Sequence, residues 1–332
     1  MNRPTLDRAG LFRRIPLLPQ QMRDRVTRTD DAIVLCHLGV PRLDRDRWTL
    51  TVDGLVETPV TLRFADLARY PKAVLTSIHQ CAGNPLQPLA PSQRICNVTW
   101  GGVWVSDILA ACRPRSEARY IWSYGADFGT FAGTEIDAYL KDVPLERARA
   151  DAMVACELNG APLPAVHGSP ARLVVPGFYG TNSVKWLTRM TLADRRAEGL
   201  FTTRWYNDPV LDAAGRDTGQ TRPVWSIAPQ SLIVSPAPDD VIAPSSATEI
   251  WGWAWADGGI GTVELSCDGG VSWTDAAVEA TRGREWQRFA LVWQPQNLGR
   301  TTLCARATSL SGAQQPLEIG RNAVHRIDVT VA

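Results

Sequence analysis

Short runs of alternating apolar and polar residues, separated by turns, dominate the sequence after about residue 222. The clearest runs cover residues 251–255, 263–267, 288–293 and 302–307. A period of two indicates strands with one buried face, and Asp268-Gly269-Gly270 between two runs predicts a tight hairpin. Because no helical period accompanies these runs, we predict an all-β sandwich over residues 223–332.

The part of the chain before this boundary carries mixed signals. Residues 48–52 alternate like a strand, and residues 61–67 look like the capped start of a short helix. Residues 107–112 predict a second helix, whereas residues 171–175 and 184–192 are strand-like and end in loops. Loops set by rigid strands are the usual carriers of function.

A chain of 332 residues is too long for a single core and indicates two domains of ordinary size. Residues 1–30 are rich in arginine, interrupted by proline and without period, which predicts an irregular surface arm. We therefore predict an α+β fold in which a mixed α/β domain over residues 31–222 is followed by the all-β sandwich.

The charge balance argues against partners that are recognised by a strong electrostatic field. The chain has 35 basic and 34 acidic residues, a formal net charge of +1, so neither nucleic acid nor an anionic membrane is an expected partner. No stretch approaches the roughly 20 apolar residues that span a bilayer. Residues 15–19 are too short and too rich in proline for a signal peptide, so we expect a cytoplasmic location.

Cys81 is a candidate metal ligand because of the polar residues that occur later in the chain. The seven cysteines show no CxxC spacing, so Cys81 in isolation reads as a buried thiol. His167, Arg172 and Lys185, however, lie in runs that could hold a phosphorylated cofactor, since their cationic groups bind phosphate. A soft metal takes thiolate readily, so together these residues indicate a molybdenum site.

Several further motifs occur in one order along the chain. They are Cys-Ala-Gly-Asn at 81–84, Trp-Gly-Gly at 100–102, Leu-Asn-Gly-Ala-Pro-Leu-Pro at 158–164, His-Gly at 167–168, Val-Val-Pro-Gly at 174–177 and Val-Lys-Trp-Leu at 184–187. This ordered set resembles the sulfite oxidase family of molybdopterin enzymes, and the resemblance covers roughly residues 31–330. It implies a molybdenum–molybdopterin cofactor, with Cys81 as the only protein ligand of the metal.

The resemblance also implies roles for other residues. Contacts to the pterin and its phosphate would come from His37, Asp127, His167, Arg172, Ser183, Val184 and Lys185. Tyr206 is the match to the family's substrate-side tyrosine. The residue types are chemically consistent with these roles, since an arginine can hold a phosphate through two hydrogen bonds and a lysine adds a point charge.

The C-terminal region resembles the immunoglobulin-like dimerisation domain of the same family. Its matching runs are Trp-Ala-Trp at 253–255, residues 263–273 and residues 322–325. We therefore expect a homodimer, and we expect some of the tryptophans at 251, 253, 255, 273, 286 and 293 to line the partner surface. The sequence contains no haem-binding His-Pro-Gly-Gly segment, so no haem is expected and electrons would leave to a separate carrier.

Two positions depart from the sulfite-oxidising members of the family. Leu35 and Leu86 stand where those members carry arginine, so a small dianion would lose two cationic partners. We therefore expect oxygen-atom transfer to or from a small sulfur or nitrogen compound, with sulfite itself in doubt. Arg94, Arg204 and Arg216 could substitute from loops. Two alternatives stay open: a cofactor-binding homologue without catalysis, and a hydrolase with Cys81 as nucleophile.

Overall fold

The computed structural model describes residues 4–7, 17–83, 94–212, 215–318 and 320–332. These residues form two compact units. Unit 1 comprises the described residues of Met1–Ile15, Val34–Leu75 and Thr99–Trp225, and unit 2 those of Pro16–Ile33, Thr76–Val98 and Ser226–Ala332. Unit 2 thus takes in much of the predicted N-terminal arm and a segment that the sequence places in the first domain. The predicted domain boundaries stay a prediction.

The secondary structure up to residue 223 is mostly strand. In chain order the strands are β1 (Leu6–Asp7), β2 (Val40–Pro41), β3 (Thr49–Gly54), β4 (Val60–Arg63), β5 (Ala73–Gln80), β6 (Ile95–Trp104), β7 (Tyr120–Gly125), β8 (Gly129–Phe131), β9 (Thr134–Ile136), β10 (Leu140–Pro144), β11 (Met153–Leu158), β12 (Ala161–Pro162), β13 (Arg172–Val174), β14 (Leu187–Ala193), β15 (Asn207–Leu211) and β16 (Asp217–Pro223). The helices are α1 (Val105–Cys112) and α2 (Leu145–Asp151). Shorter helical turns cover Pro19–Gln21, Phe64–Arg69, Ala165–His167, Gly180–Asn182 and Leu200–Arg204.

The main sheet of unit 1 has the strand order β10-β7-β14-β3-β4, in which β14 runs parallel to β3 and the other pairs are antiparallel. In β3, Leu50 and Val52 are fully buried while Thr49, Thr51 and Asp53 are half-buried, as the alternation predicted. Trp48 donates its indole N–H to the Leu187 carbonyl at 2.8 Å, which ties the start of β3 to β14. Leu187, the first residue of β14, follows Lys185 of the candidate site by two positions.

The helix predicted at residues 107–112 is confirmed, and the helix predicted at residues 61–67 begins later than predicted. In α1, Val105, Ile108, Leu109 and Cys112 are buried at the spacing of one helical face. The helix predicted to start at residue 61 is wrong in its first three positions, because residues 61–63 belong to β4. A 3-10 helix begins only at Phe64, where the Arg63 amide donates to the Asp66 carboxylate at 2.8 Å.

Unit 2 contains two sheets after residue 226. The strands are β17 (Gln230–Ser235), β18 (Val241–Ile242), β19 (Thr248–Trp255), β20 (Ile260–Ser266), β21 (Thr274–Asp275), β22 (Ala277–Val278), β23 (Gln287–Trp293), β24 (Gly299–Ser309) and β25 (Arg326–Val331). They form sheets of order β17-β19-β23-β22 and β18-β25-β24-β20-β21. The predicted turn after β20 is present, and Gly269 and Gly270 both adopt positive φ there.

Three of the six tryptophans in this region are buried inside unit 2. Trp253, Trp255 and Trp286 are all buried, and the rings of Trp253 and Trp286 stack with centroids 4.8 Å apart. Trp253 also donates to the Met22 carbonyl at 2.7 Å, so a segment of the predicted surface arm covers it. Only the other three, Trp251, Trp273 and Trp293, are partly exposed and therefore available to line a partner surface.

The described residues are predominantly β, with few helices. The two α-helices contain only eight and seven residues, so the predicted α contribution is small. Among the residues that the structure describes, no helix combines the length and apolar character needed to cross a membrane.

Candidate functional site

Arg172 and Lys185 bring two cationic groups into one region of unit 1. Arg172 opens β13 and is only 2% exposed; its guanidinium donates to the His167 carbonyl at 3.0 Å and to the Ser183 carbonyl at 2.9 Å. Lys185 lies between β13 and β14, and its ammonium donates to the Leu35 carbonyl at 2.6 Å. Removal from water lowers the pKa of Lys185, and the charge of Arg172 lowers it further.

Gly168 explains how these two side chains come so close to the His167 segment. It adopts φ +113°, and a Cβ atom placed there would lie 3.0 Å from the Cβ atoms of both Arg172 and Lys185. Any other residue would clash or strain the backbone, so glycine is required. The His-Gly motif is therefore a packing requirement of this cluster, with His167 itself buried beside it.

Ser183 and Val184 help to build the same cluster but do so in different ways. The Ser183 hydroxyl accepts from the Val175 amide at 3.0 Å, while its carbonyl accepts from Arg172. Val184 is fully buried in the apolar core of unit 1, and its carbonyl accepts from the Leu173 amide at 2.8 Å. The Val184 side chain therefore packs in the core, and its backbone carbonyl joins Val184 to β13.

Asp127 is a buried carboxyl group in the same unit. It is 4% exposed, and burial raises its pKa to about 7, although the charge of Lys185 opposes this shift. A carboxyl group with this pKa is shared between its protonated and ionised forms at neutral pH, so it can donate or accept a hydrogen bond. Gly125 leaves room for it, because a Cβ at that position would lie 2.4 Å from the Asp127 Oδ1 atom.

His37 and Tyr206 form a directly bonded pair. The His37 Nε2 atom lies 2.7 Å from the Tyr206 hydroxyl oxygen, and the rings of Phe131, Tyr139 and Phe201 surround the imidazole. Burial lowers the pKa of His37 to about 4, and the charges of Lys185 and Lys141 contribute. The imidazole is therefore neutral at pH 7, with one nitrogen able to donate and the other to accept.

Lys141 is a member of this region that the sequence analysis missed. It lies in β10 at 1% exposure, donates to the Phe201 carbonyl at 2.8 Å and places its ammonium 5.2 Å from the ring centroid of Tyr206. Burial lowers its pKa to about 7. A signal was present, since a charged residue in a strand that is otherwise buried is costly and uncommon.

Cys81 belongs to unit 2, whereas the predicted pterin contacts belong to unit 1. The thiol follows β5, and its sulfur accepts from the Gly83 amide at 3.3 Å. Burial raises the pKa of Cys81, while the Gly83 hydrogen bond and the charges of Arg94 and Arg321 act in the opposite direction. Burial outweighs these groups, so the pKa of Cys81 is raised overall and the neutral thiol is favoured in the absence of a metal. Coordination of a metal would remove the thiol proton.

Of the two leucines that replace arginine in the sulfite-oxidising pattern, the structure describes only Leu35. Leu35 is half-buried and offers only its carbonyl, to Lys185. Leu86, like Asn84 of the Cys-Ala-Gly-Asn motif, lies outside the described residues. Of the three arginines proposed as substitutes, Arg94 is the one beside Cys81, whereas Arg204 is exposed and Arg216 is exposed and paired with the Asp212 carboxylate.

The donor set is compatible with a molybdenum–molybdopterin group. Within the described ranges, no three His, Cys, Asp or Glu side chains converge as a metal site. In unit 1, Arg172 and Lys185 donate to carbonyl oxygens, which carry no formal charge, so both side chains can also stabilise a phosphate. Asp127 supplies a carboxyl that can bond ring N–H groups.

Comparison with known proteins gives two family matches. A model of the oxidoreductase molybdopterin binding domain matches residues 37–201, and a model of the Mo-co oxidoreductase dimerisation domain matches residues 221–330. The mitochondrial sulfite oxidase of Rattus norvegicus is 30% identical over 330 residues, which is 89% of this chain and 60% of that protein. The NADPH nitrate reductase of Fusarium oxysporum is 30% identical over 269 residues, 71% of this chain and 29% of that protein.

A solved structure extends the match to the whole fold. The sulfane dehydrogenase SoxCD from Paracoccus pantotrophus aligns with a TM-score of 0.78 and 29% identity, covering 94% of this chain and 85% of that one. The chain spans only about 60% of the rat sulfite oxidase that it matches.

Proposed function

The chain belongs to the sulfite oxidase family of molybdopterin-dependent oxidoreductases, and on this premise we propose that it transfers an oxygen atom to or from a small sulfur or nitrogen compound. When bound, the molybdenum–molybdopterin cofactor supplies the two-electron oxygen-atom chemistry. The observation that carries the proposal is the Cys81 sulfur beside Arg94 and Arg321, around which the described residues form no cluster of three protein metal ligands. The buried Arg172 of unit 1 supports it independently.

The residues of the chain divide the remaining work. Cys81 is assigned as the metal ligand, because a soft thiolate suits this metal. Arg172 and Lys185 are assigned to the phosphate of the cofactor, and Asp127 to N–H groups of the pterin. The neutral His37 is hydrogen-bonded to the Tyr206 hydroxyl and orients it. We assign this hydroxyl to the substrate side of the site.

We infer an α+β classification with an immunoglobulin-like C-terminal domain over residues 223–332. Support comes from the two sheets of four and five strands in this region and from the absence of α-helices in its described residues. The first 222 residues are assigned to an arm and a cofactor-binding domain. Electrons are assigned to a separate carrier, and a cytoplasmic location stays a prediction.

The substrate is proposed to carry less charge than sulfite. Leu35 contributes no cation, and Arg94 and Arg321 beside Cys81 already donate to the backbone carbonyls of Gly83 and Ala82. Their charges compensate for an anion only in part, because a guanidinium group that donates to the protein backbone has fewer N–H groups left for bidentate hydrogen bonding to a substrate. An organic sulfur or nitrogen oxide fits this balance better than a dianion.

Purified protein is expected to contain one molybdenum per chain, to release a fluorescent pterin on denaturation, and to oxidise sulfite weakly. Each lost charge-assisted hydrogen bond is worth about 1.5–3 kcal/mol, so the affinity for sulfite should be lower by orders of magnitude. Metal analysis and steady-state assays with sulfite and a panel of sulfur and nitrogen oxides provide the measurement. A low-micromolar Michaelis constant for sulfite would contradict the proposed substrate class.

The two alternatives predict other results. A hydrolase with a cysteine nucleophile needs a base at the thiol. Among the described residues, the groups that most affect the pKa of Cys81 besides burial are the Gly83 amide, Arg94 and Arg321, none of which accepts a proton. Such an enzyme would contain no molybdenum. A cofactor-binding homologue without catalysis would contain molybdenum and turn over no member of the substrate panel, and Leu35 is the observation in its favour.

The full chain is expected to be a homodimer in solution. The match to a dimerisation domain supports this, as do exposed apolar side chains in unit 2, including Val292 and Leu298 at 66% and 73% exposure. Light scattering coupled to gel filtration should give twice the chain mass across the micromolar range. A monomer at those concentrations would reject the proposal.

A further inference from the structure

Gln80, the residue before Cys81, lies in a buried network of amide side chains in unit 2. It is fully buried, and its Nε2 atom donates to Gln230 Oε1 at 2.6 Å and to Asn322 Oδ1 at 2.9 Å. Its Oε1 atom accepts from the indole N–H of Trp255 at 2.9 Å. Three strong partners around one side chain leave it a single orientation.

The orientation of each amide in the network follows from its neighbours. An indole N–H only donates, so the Gln80 atom facing Trp255 must be the oxygen, and its NH₂ group must face Gln230 and Asn322. Asn322 in turn donates to the Ala228 carbonyl at 2.8 Å, and a carbonyl only accepts. The oxygen of Asn322 therefore faces Gln80, and the network is consistent from one end to the other.

The residues on the other side of Cys81 are held by charged groups. Arg321, which precedes Asn322, donates to the Ala82 carbonyl, and Arg94 donates to the Gly83 carbonyl at 2.6 Å. The Cys81 amide donates to the Arg94 carbonyl at 2.9 Å. The consecutive residues Arg321 and Asn322 thus bond to the chain immediately after and immediately before the cysteine.

We propose that Gln80, Arg321 and Asn322 are positioning residues that fix Cys81 in the orientation needed to bind molybdenum. The proposal rests on the proposed function, in which Cys81 is the metal ligand. A metal bound by one protein atom depends on the backbone that carries that atom, because no second protein ligand corrects a misplacement. Hydrogen bonds on both sides of Cys81 remove the rotation that would displace its sulfur.

The first test compares two buried glutamines of unit 2 in the molybdenum-loaded protein. Gln80→Leu removes three hydrogen bonds next to Cys81. Gln287 is also buried, and Gln287→Leu removes one hydrogen bond accepted from the Ile260 amide and two donated to the Ile260 and Glu279 carbonyls. Gln80→Leu should alter the visible and electron paramagnetic resonance spectra of the metal and lower kcat about 10–100-fold. Gln287→Leu should lower only the melting temperature.

A second pair covers the case in which Gln80→Leu does not fold. Arg321→Met removes the bond to the Ala82 carbonyl, and Arg326→Met, on the same segment, removes a bond to the Leu317 carbonyl. The metal spectrum should change in the first variant and not in the second.

Wild-type spectra in both Gln80→Leu and Arg321→Met would overturn the proposal, as would changes that merely follow melting temperature across all four variants. The molybdenum content of the wild-type protein tests the proposed function separately. If that protein binds molybdenum and these variants keep its spectrum, only the positioning role fails.

Discussion

Replacement of Cys81 by serine is expected to abolish turnover and to change the metal spectrum while leaving the fold intact. A hard hydroxyl is a poor replacement for a soft thiolate on this metal. Serine can still accept the hydrogen bond that the sulfur receives from the Gly83 amide, so the turn after β5 should persist. Turnover, molybdenum content, metal spectrum and melting temperature should be measured on the same preparation.

Cys267→Ser is the matched control for this experiment. Both cysteines belong to unit 2 and both are only partly exposed, and burial raises the pKa of each thiol. The control should keep wild-type turnover and spectrum. Full turnover in Cys81→Ser would remove Cys81 from the mechanism, and with it the inference about the residues that hold it.

Replacement of Arg172 by alanine is expected to lower cofactor occupancy more than tenfold while sparing the turnover per bound molybdenum. The guanidinium is assigned to the phosphate and not to the reacting atom, and each charge-assisted hydrogen bond is worth about 1.5–3 kcal/mol. The substitution also removes bonds to the His167 and Ser183 carbonyls, which should loosen the segment around Gly168. The ratio of metal to protein and the turnover per metal measure the two effects.

Arg189→Ala is the control for a lost arginine in unit 1. Its side chain is half exposed and pairs with the Asp53 carboxylate at 2.7 Å, a surface interaction of small expected value. Arg172→Lys keeps the charge but not the paired donors, so it should recover part of the occupancy. Wild-type occupancy in Arg172→Ala would show that the assignment to the phosphate is wrong.

Local patterns predicted much of the secondary structure. Alternation in β3 and in the strands after residue 226, the buried face of α1 and the glycine turn after β20 all depend on neighbouring residues, so a period or a turn motif is enough to detect them. The start at residue 61 was misplaced, because the edge of a strand and the first turn of a helix have similar local signals.

Contacts between distant segments could not be read in the same way. Residues 1–30 were predicted to form an irregular surface arm, and those from Pro16 onward belong to unit 2. There the Met22 carbonyl accepts from the Trp253 indole, and the Arg25 guanidinium lies over its ring. Nothing in the arm's own composition indicates this, since the partner is more than two hundred positions away. The same reason explains why Lys141 was not assigned next to Tyr206.

The sequence by itself determined the residue types that the chemistry requires: a thiol for a soft metal, cations for a phosphate and a glycine where side chains crowd. Ordered motifs also identified the family, because such order survives at about 30% identity. Only the tertiary structure decided how those groups are held. The Gln80 network joins residues 242 positions apart, and its bonds exist only because burial excludes water and obliges each amide to find a partner within the fold.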